Sequence, residues 1–124
     1  MEPITQDKYF DEAKKRYGDN IDNWKFKCPS CGNAMTVGMY KEAAQVAGIK
    51  NYSGQVAYSC IGRLMPNPVD MGVKGKGFCN YAGGGLFKLN PIPILRPMAN
   101  GVVPEKADID YFFDFADDPL KEVK

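Results

Sequence analysis

Cys28-Pro29-Ser30-Cys31-Gly32 sets two thiols two residues apart on a tight turn. A Cys-x-x-Cys turn presents two thiolates at the separation one metal ion needs, and zinc takes four such ligands at tetrahedral angles. Pro29 restricts the backbone there, and Gly32 permits the dihedrals at which amides turn toward sulfur. Cys60 and Cys79 are the two remaining cysteines. We read Cys28, Cys31, Cys60 and Cys79 as the ligands of one structural zinc ion. Eighteen residues lie between the last two, so each must arrive on its own element, one at a strand end and one in a Gly-rich loop. Four thiolates leave no open coordination position, so such a site is structural and not catalytic.

Two other readings of the thiols stand beside this one. Cys-x-x-Cys can be a redox pair whose first thiol is a nucleophile at a helix start. A strand-like segment precedes the motif here, however, and Asn33-Ala34-Met35-Thr36-Val37 comes after it without strong helical character. Alternatively, Cys60 and Cys79 could be plain core thiols, leaving a two-thiol site completed by Asp70 or water. The chain has no histidine, which excludes a His-assisted nucleophile and restricts any metal site to thiolates and carboxylates.

The elements that must carry these thiols are read from periodicity. Thr5–Tyr17 predicts an amphipathic helix with Thr5 as its cap, Tyr9, Phe10, Ala13 and Tyr17 as its apolar stripe and Gly18 at its end. Asn23–Lys27 predicts a strand with Trp24 and Phe26 on one face, and Asn33–Val37 the returning arm of a hairpin bent around the Cys-x-x-Cys turn. Met39–Ala47 predicts a short helix with Tyr40, Ala43, Ala44 and Ala47 inward, ended by Gly48. Gln55–Cys60 alternates like a strand delivering the third thiol. Residues 63–78, with Pro66, Pro68 and three glycines, predict an irregular loop. Leu86–Asn90 predicts a further strand, with Pro91, Pro93 and Pro97 placing its continuation at an edge or outside the sheet. Asn100-Gly101 is a turn signal. Asp108–Phe115 alternates acid and apolar, predicting a last strand with Ile109, Tyr111, Phe113 and Phe115 on the core; a frayed acidic tail is expected from about residue 117. The fold class expected is α+β: a small zinc-stabilised domain spanning 1–124, with a zinc-knuckle hairpin, an antiparallel sheet and one or two short helices.

Composition narrows the function classes. The chain has 124 residues, 44% of them apolar and 25% charged, an ordinary globular mixture. No run of 18 apolar residues suggests a membrane span, and residues 1–7 lack the basic and apolar blocks of a signal peptide. A cytoplasmic location is expected, where cysteines in this pattern bind metal more often than they form disulfides. Net charge is +1, but residues 28–100 carry +5 and residues 101–124 carry −4. A basic centre and an acidic end could each meet a partner of opposite sign, or each other.

Three further groups invite chemistry. Gly83-Gly84-Gly85 could cradle a phosphate with its amides, although no Walker-type Lys-Ser/Thr comes next and a tight bend beside the metal is the simpler reading. Lys74 and Lys76, with Arg63, Tyr81 and Lys88, form a candidate contact set for a partner or for nucleic acid, cations with an aromatic ring to stack on. Arg63 is also placed to pair with an acid of the tail. Asp108, Asp110 and Asp114 form a candidate acidic partner face, the alternative being a solvated outer strand face. No paired catalytic acids are apparent and no small-molecule substrate is indicated, so an enzyme is the least favoured class.

Trp24-x-Phe26-x-Cys28-Pro29-x-Cys31-Gly32, then Ser59-Cys60-Ile61-Gly62-Arg63, then Cys79-Asn80-Tyr81-Ala82-Gly83-Gly84-Gly85-Leu86-Phe87-x-Leu89-Asn90-Pro91 resemble a family of short proteins carried by bacteriophages and prophages. The resemblance covers roughly residues 20–116, and it implies a small phage-encoded zinc-binding protein in the cytoplasm of a bacterial host, without implying an activity. The function expected on these grounds is a zinc-stabilised protein that modulates a host or phage macromolecule, with inhibition of host defence as one form. A nucleic-acid-binding module using the basic centre is the alternative.

Overall fold

Thr5 is extended, at φ −70° and ψ 155°, and its hydroxyl accepts from the amide of Lys8 at 3.2 Å. That bond satisfies an orphan donor, so a helix starts at the next residue. In the computed structural model, which describes residues 2–85, 88–95 and 109–120, this is α1, Gln6–Tyr17. Tyr9 and Ala13 are fully buried, while Phe10 is only half-covered. Gly18, at φ 91°, ends the helix and donates to Lys14 O at 2.8 Å.

A 3-10 turn at Ile21–Asn23 leads into β2, Lys25–Lys27, which pairs antiparallel with β3, Ala34–Thr36. Phe26 faces Met35 across this hairpin and both are buried, so the expected hairpin around Cys28 and Cys31 is present. Thr36 then caps α2, Val37–Ala47. Its Oγ1 accepts from Met39 N at 3.1 Å, and Met39 Sδ accepts in return from Thr36 N at 3.4 Å. This cap starts the helix two residues before the expected Met39. Tyr40 and Ala44 are buried, but Ala47 is exposed: the inward face ends a turn earlier, where the chain peels away toward Gly48 at φ 72°.

Two sheets of three strands are found among the described residues. One has the order β1-β4-β5, with β1 at Ile4–Thr5, β4 at Ile92–Leu95 and β5 at Ile109–Phe112; the other has the order β3-β2-β6, with β6 at Asp114–Phe115. The fold is thus a small mixed α+β arrangement, as expected, although β1 and β4 run parallel and the first sheet is not purely antiparallel.

Four strand expectations need correction. Gln55–Cys60 is no strand: after the 3-10 turn Ser53–Gln55, Ala57 adopts φ 58°, and the amides of Tyr58 and Ser59 both donate back to Gln55 O. Leu86 and Phe87 lie outside the described residues, and Lys88–Asn90 form no strand. Residues 92–95 form the central strand of their sheet in spite of Pro93. The proline is accommodated because β1 reaches only Ile94 and Leu95, so no ladder partner on that side is lost at Pro93. The final aromatic run is two strands, not one. It crosses from one sheet to the other at Phe113, so Phe112, Phe113 and Phe115 are all buried while Ile109 and Tyr111 stay largely exposed. The Asn100-Gly101 turn and Asp108 lie outside the described residues.

The core is aromatic and joins these pieces. Tyr9 stacks on Phe115 at 5.0 Å and on Phe26 at 6.0 Å, and meets Phe112 edge-on at 5.4 Å. Its hydroxyl donates to Phe113 O at 2.6 Å, at the crossing point of the two sheets.

Candidate metal centre

Each thiol is fixed by local backbone chemistry. Cys28 N donates to Asn33 O at 3.0 Å and Gly32 N donates to Cys28 O at 2.9 Å, closing the turn with Gly32 at φ 78°. Cys60 arrives at the end of the 52–59 turns and opens a 3-10 turn at Ile61–Leu64 that packs on α2. Its amide donates to Tyr81 O at 3.0 Å, which ties the third thiol to the loop of the fourth. Cys79 is held by a parallel bridge to Val69, with Val69 N on Phe78 O at 2.9 Å and Asn80 N on Val69 O at 3.0 Å. Gly62 is required where these two segments meet, because a Cβ there would stand 2.1 Å from Cys79 O.

The four sulfurs converge. All lie within 4.8 Å of one another and all four residues are buried. Cys28 Sγ is 3.8 Å from Cys79 Sγ, and Cys31 Sγ is 3.8 Å from Cys60 Sγ. Four sulfurs at about 2.3 Å from a common centre, at tetrahedral angles, stand about 3.8 Å apart. The spacing therefore matches the edge of a metal–thiolate tetrahedron, and the 3.8 Å contacts run between elements instead of within the Cys-x-x-Cys pair.

Amides point at the sulfurs in a repeating way. Cys28 Sγ accepts from the amides of Ser30 and Cys31, Cys60 Sγ from that of Gly62, and Cys79 Sγ from that of Tyr81 and from the Ser30 hydroxyl. The neighbouring Cys60 thiol and the amides of Ser30 and Cys31 hold the Cys28 thiol below its ordinary value against the opposing effect of burial. The neighbouring Cys28 thiol and burial push Cys60 up, and burial pushes Cys79 up. Four thiols this close in a dry site cannot all ionise unless a cation sits among them, since each thiolate disfavours the next. The soft donor set, its closeness and its burial fit a metal ion held by these four residues. Asp70 is not in the cluster, so the two-thiol alternative is not what the fold builds. Nor does Cys28 head a helix: the chain leaves Cys31 into β3, which removes the support for a redox pair.

A family model described as VVA0879-like matches residues 5–106. The chain belongs to the VVA0879-like family. The matched range holds all four thiols and stops short of β5 and β6, which complete the two sheets. Searches of curated proteins and of solved structures returned no match.

The other candidate residues of this VVA0879-like chain are dispersed. Lys74, Lys76 and Lys88 are exposed, the first two on a loop with Gly72, Gly75 and Gly77 at positive φ. Tyr81 is fully buried, and its hydroxyl accepts from Leu89 N at 2.8 Å, so it cannot stack on a base or a partner in this fold. Arg63 is exposed and makes no ion pair with the tail among the described residues; the tail meets Arg16 and Lys25 instead. The acidic set also departs from an outward face. Asp108 lies outside the described residues, Asp110 is half-buried, and Asp114 Oδ1 accepts from Phe115 N at 2.7 Å and Leu120 N at 2.9 Å, a local cap. In the triple glycine, Gly83 N donates to Ser59 Oγ at 3.0 Å and Gly85 N to Ala82 O at 3.0 Å, which favours the tight bend over a phosphate cradle.

Two residues of the centre escape a reading from sequence. Ser30 serves both Cys79 Sγ and the amide of Gly72, the latter at 2.8 Å. Gly62 makes room for Cys79 O. The position of Ser30 between two ligands is the one signal that could have drawn notice.

Proposed function

We propose that the chain is a zinc-clasped binding protein that works by docking on another macromolecule. The observation that supports this is the closed, buried set of four thiols, a donor set that would fill every position of a tetrahedral zinc ion and leave none for a substrate. Zinc would tie the β2–β3 hairpin, the turn after residue 59 and the loop before residue 80 into one body, so function belongs to the surface built on that clasp. Apolar side chains left in solvent support a protein partner: Val46 is 84% exposed and Met65 41% exposed, beside a hollow of about 290 Å³ lined by Met39, Ala43, Leu64 and Phe78. The resemblance to phage and prophage proteins makes a host or phage protein the natural partner, with a host-defence component as one form and the bacterial cytoplasm as the place.

Metal analysis of purified protein should return one zinc per chain. Metal-loaded protein should then retain a partner from bacterial host lysate, and Val46→Glu should release it while leaving the circular dichroism unchanged. Retention that survives both chelation and Val46→Glu refutes the reading. Nucleic-acid binding through Lys74 and Lys76 is the competing outcome; it requires log affinity to fall linearly with log salt and to flatten in the double alanine variant.

A further inference from the structure

Residues 69–79 form a loop that is held at its base and bare at its tip. A bridge between Val69 and Cys79 joins its two ends. Met71 N donates to Asn80 Oδ1, Gly72 N to Ser30 Oγ and Asn33 Nδ2 to Gly77 O, each at 2.8 Å, so the loop lies over the Cys-x-x-Cys turn. Beyond those anchors Met71 and Val73 are each 38% exposed, and Lys74 and Lys76 are exposed beside Gly75 and Gly77 at positive φ. Leu89, 46% exposed, lines one hollow of about 310 Å³ with Met71 and Lys74, and its chain neighbour Lys88 is exposed as well. Lys74, Lys76 and Lys88 make no ion pair among the described residues. Asp70 is the one acid of residues 61–90, where Arg63 adds a fourth cation. Single apolar residues in solvent are ordinary, but an aliphatic cluster flanked by uncompensated cations fits a surface that is anionic outside and apolar beneath. A bilayer with acidic headgroups is such a surface. It favours each lysine near it about fivefold and takes aliphatic side chains into the headgroup–acyl boundary. Single-stranded nucleic acid fits less well, because it stacks on exposed rings, whereas Phe78 is half-buried beside Met65 and Tyr81 is fully buried.

We propose that residues 71–77, with Lys88 and Leu89, are a docking surface for an anionic membrane, the lysines on lipid phosphates and Met71, Val73 and Leu89 in the headgroup–acyl boundary. This surface shares no residue with the hollow beside Val46. It goes beyond a protein partner, and failure of either reading leaves the other standing.

Full-length protein should sediment with vesicles of mixed phosphatidylcholine and phosphatidylglycerol, and bind pure phosphatidylcholine vesicles at least about tenfold more weakly. Binding should fall as salt rises. Lys74→Ala with Lys76→Ala should weaken it about thirtyfold. Lys8→Ala with Lys15→Ala, the same loss of charge at exposed positions of α1, should leave it unchanged. Met71→Ser with Val73→Ser should weaken it about tenfold without altering the salt dependence, which separates insertion from charge alone. Circular dichroism of each variant checks that it has folded. No sedimentation with the anionic vesicles in low salt overturns the proposal. So does equal binding to neutral vesicles, or a Met71→Ser, Val73→Ser variant that binds like the parent. Retention on single- or double-stranded DNA without vesicle binding, lost in the lysine variant, assigns the loop to nucleic acid and overturns it too.

Discussion

At the scale of single residues, the tightest demands come from backbone approach. A Cβ on Gly62 would lie 2.1 Å from Cys79 O, and one on Gly83 would lie 2.1 Å from Tyr58 O and 2.9 Å from Asn90 Nδ2. In both cases the nearest obstacle is backbone, which cannot swing aside. Gly83→Ala should therefore cost about 3 kcal/mol in denaturant unfolding, whereas Gly54→Ala, which meets nothing within 4 Å, should cost far less. Equal midpoints for the two variants would contradict the packing described. The thiols are legible from spacing because metal chemistry imposes that spacing. The glycines are legible only as loop residues, because the atom that excludes a side chain comes from a segment about twenty residues away in sequence.

The elements divide by how local their causes are. Both helices can be read from sequence by a period of 3.6 and a terminal Gly, and α1 by its Thr5 cap as well, whereas the Thr36 cap of α2 is hidden in the hairpin arm it also belongs to. The strands of the last aromatic run cannot. Alternation assigns Phe112 and Phe113 to opposite faces, but both are buried because the chain changes sheets between them, and that change is set by partners at Ile92 and Phe26. Arg16 is an instance of the same kind on α1. Its position suits a cation at a helix end, yet its guanidinium binds Glu12 at 2.9 Å, reaches the carbonyls of Asp117 and Asp118, and lies 4.7 Å over the Phe115 ring. Arg16→Ala should lower stability by about 1–3 kcal/mol and open residues 116–120 to proteolysis. Arg16→Lys should recover only part of this, lacking the planar fork. A tail as resistant in the alanine variant as in the parent would show that the anchor lies elsewhere.

For the molecule as a whole, buried phenols link the core to pH. Burial raises Tyr9 and Tyr40 above the ordinary value of 10.0 in the folded state, while the unfolded chain titrates near that value. Above it the unfolded chain has lost protons that the folded chain keeps, so the stabilisation is complete below about pH 10 and declines as pH rises toward the folded values. Tyrosinate absorbance and loss of far-UV circular dichroism should appear together in one transition; ionisation of every tyrosine in a still-folded chain would count against it. Metal removal should act as broadly, since structural zinc contributes about 10–16 kcal/mol of apparent binding free energy in small domains. Chelated protein should lose its near-UV circular dichroism and recover it on adding zinc. The connection through Phe113 also has a consequence in time. β5 completes one sheet and β6 the other, so during synthesis neither sheet can gain its third strand until residues 109–115 have left the ribosome. All four sulfurs have emerged by residue 79. A nascent chain can thus gather its four thiols first, ready for a metal ion, with the aromatic residues awaiting their last partners from the C-terminal segment.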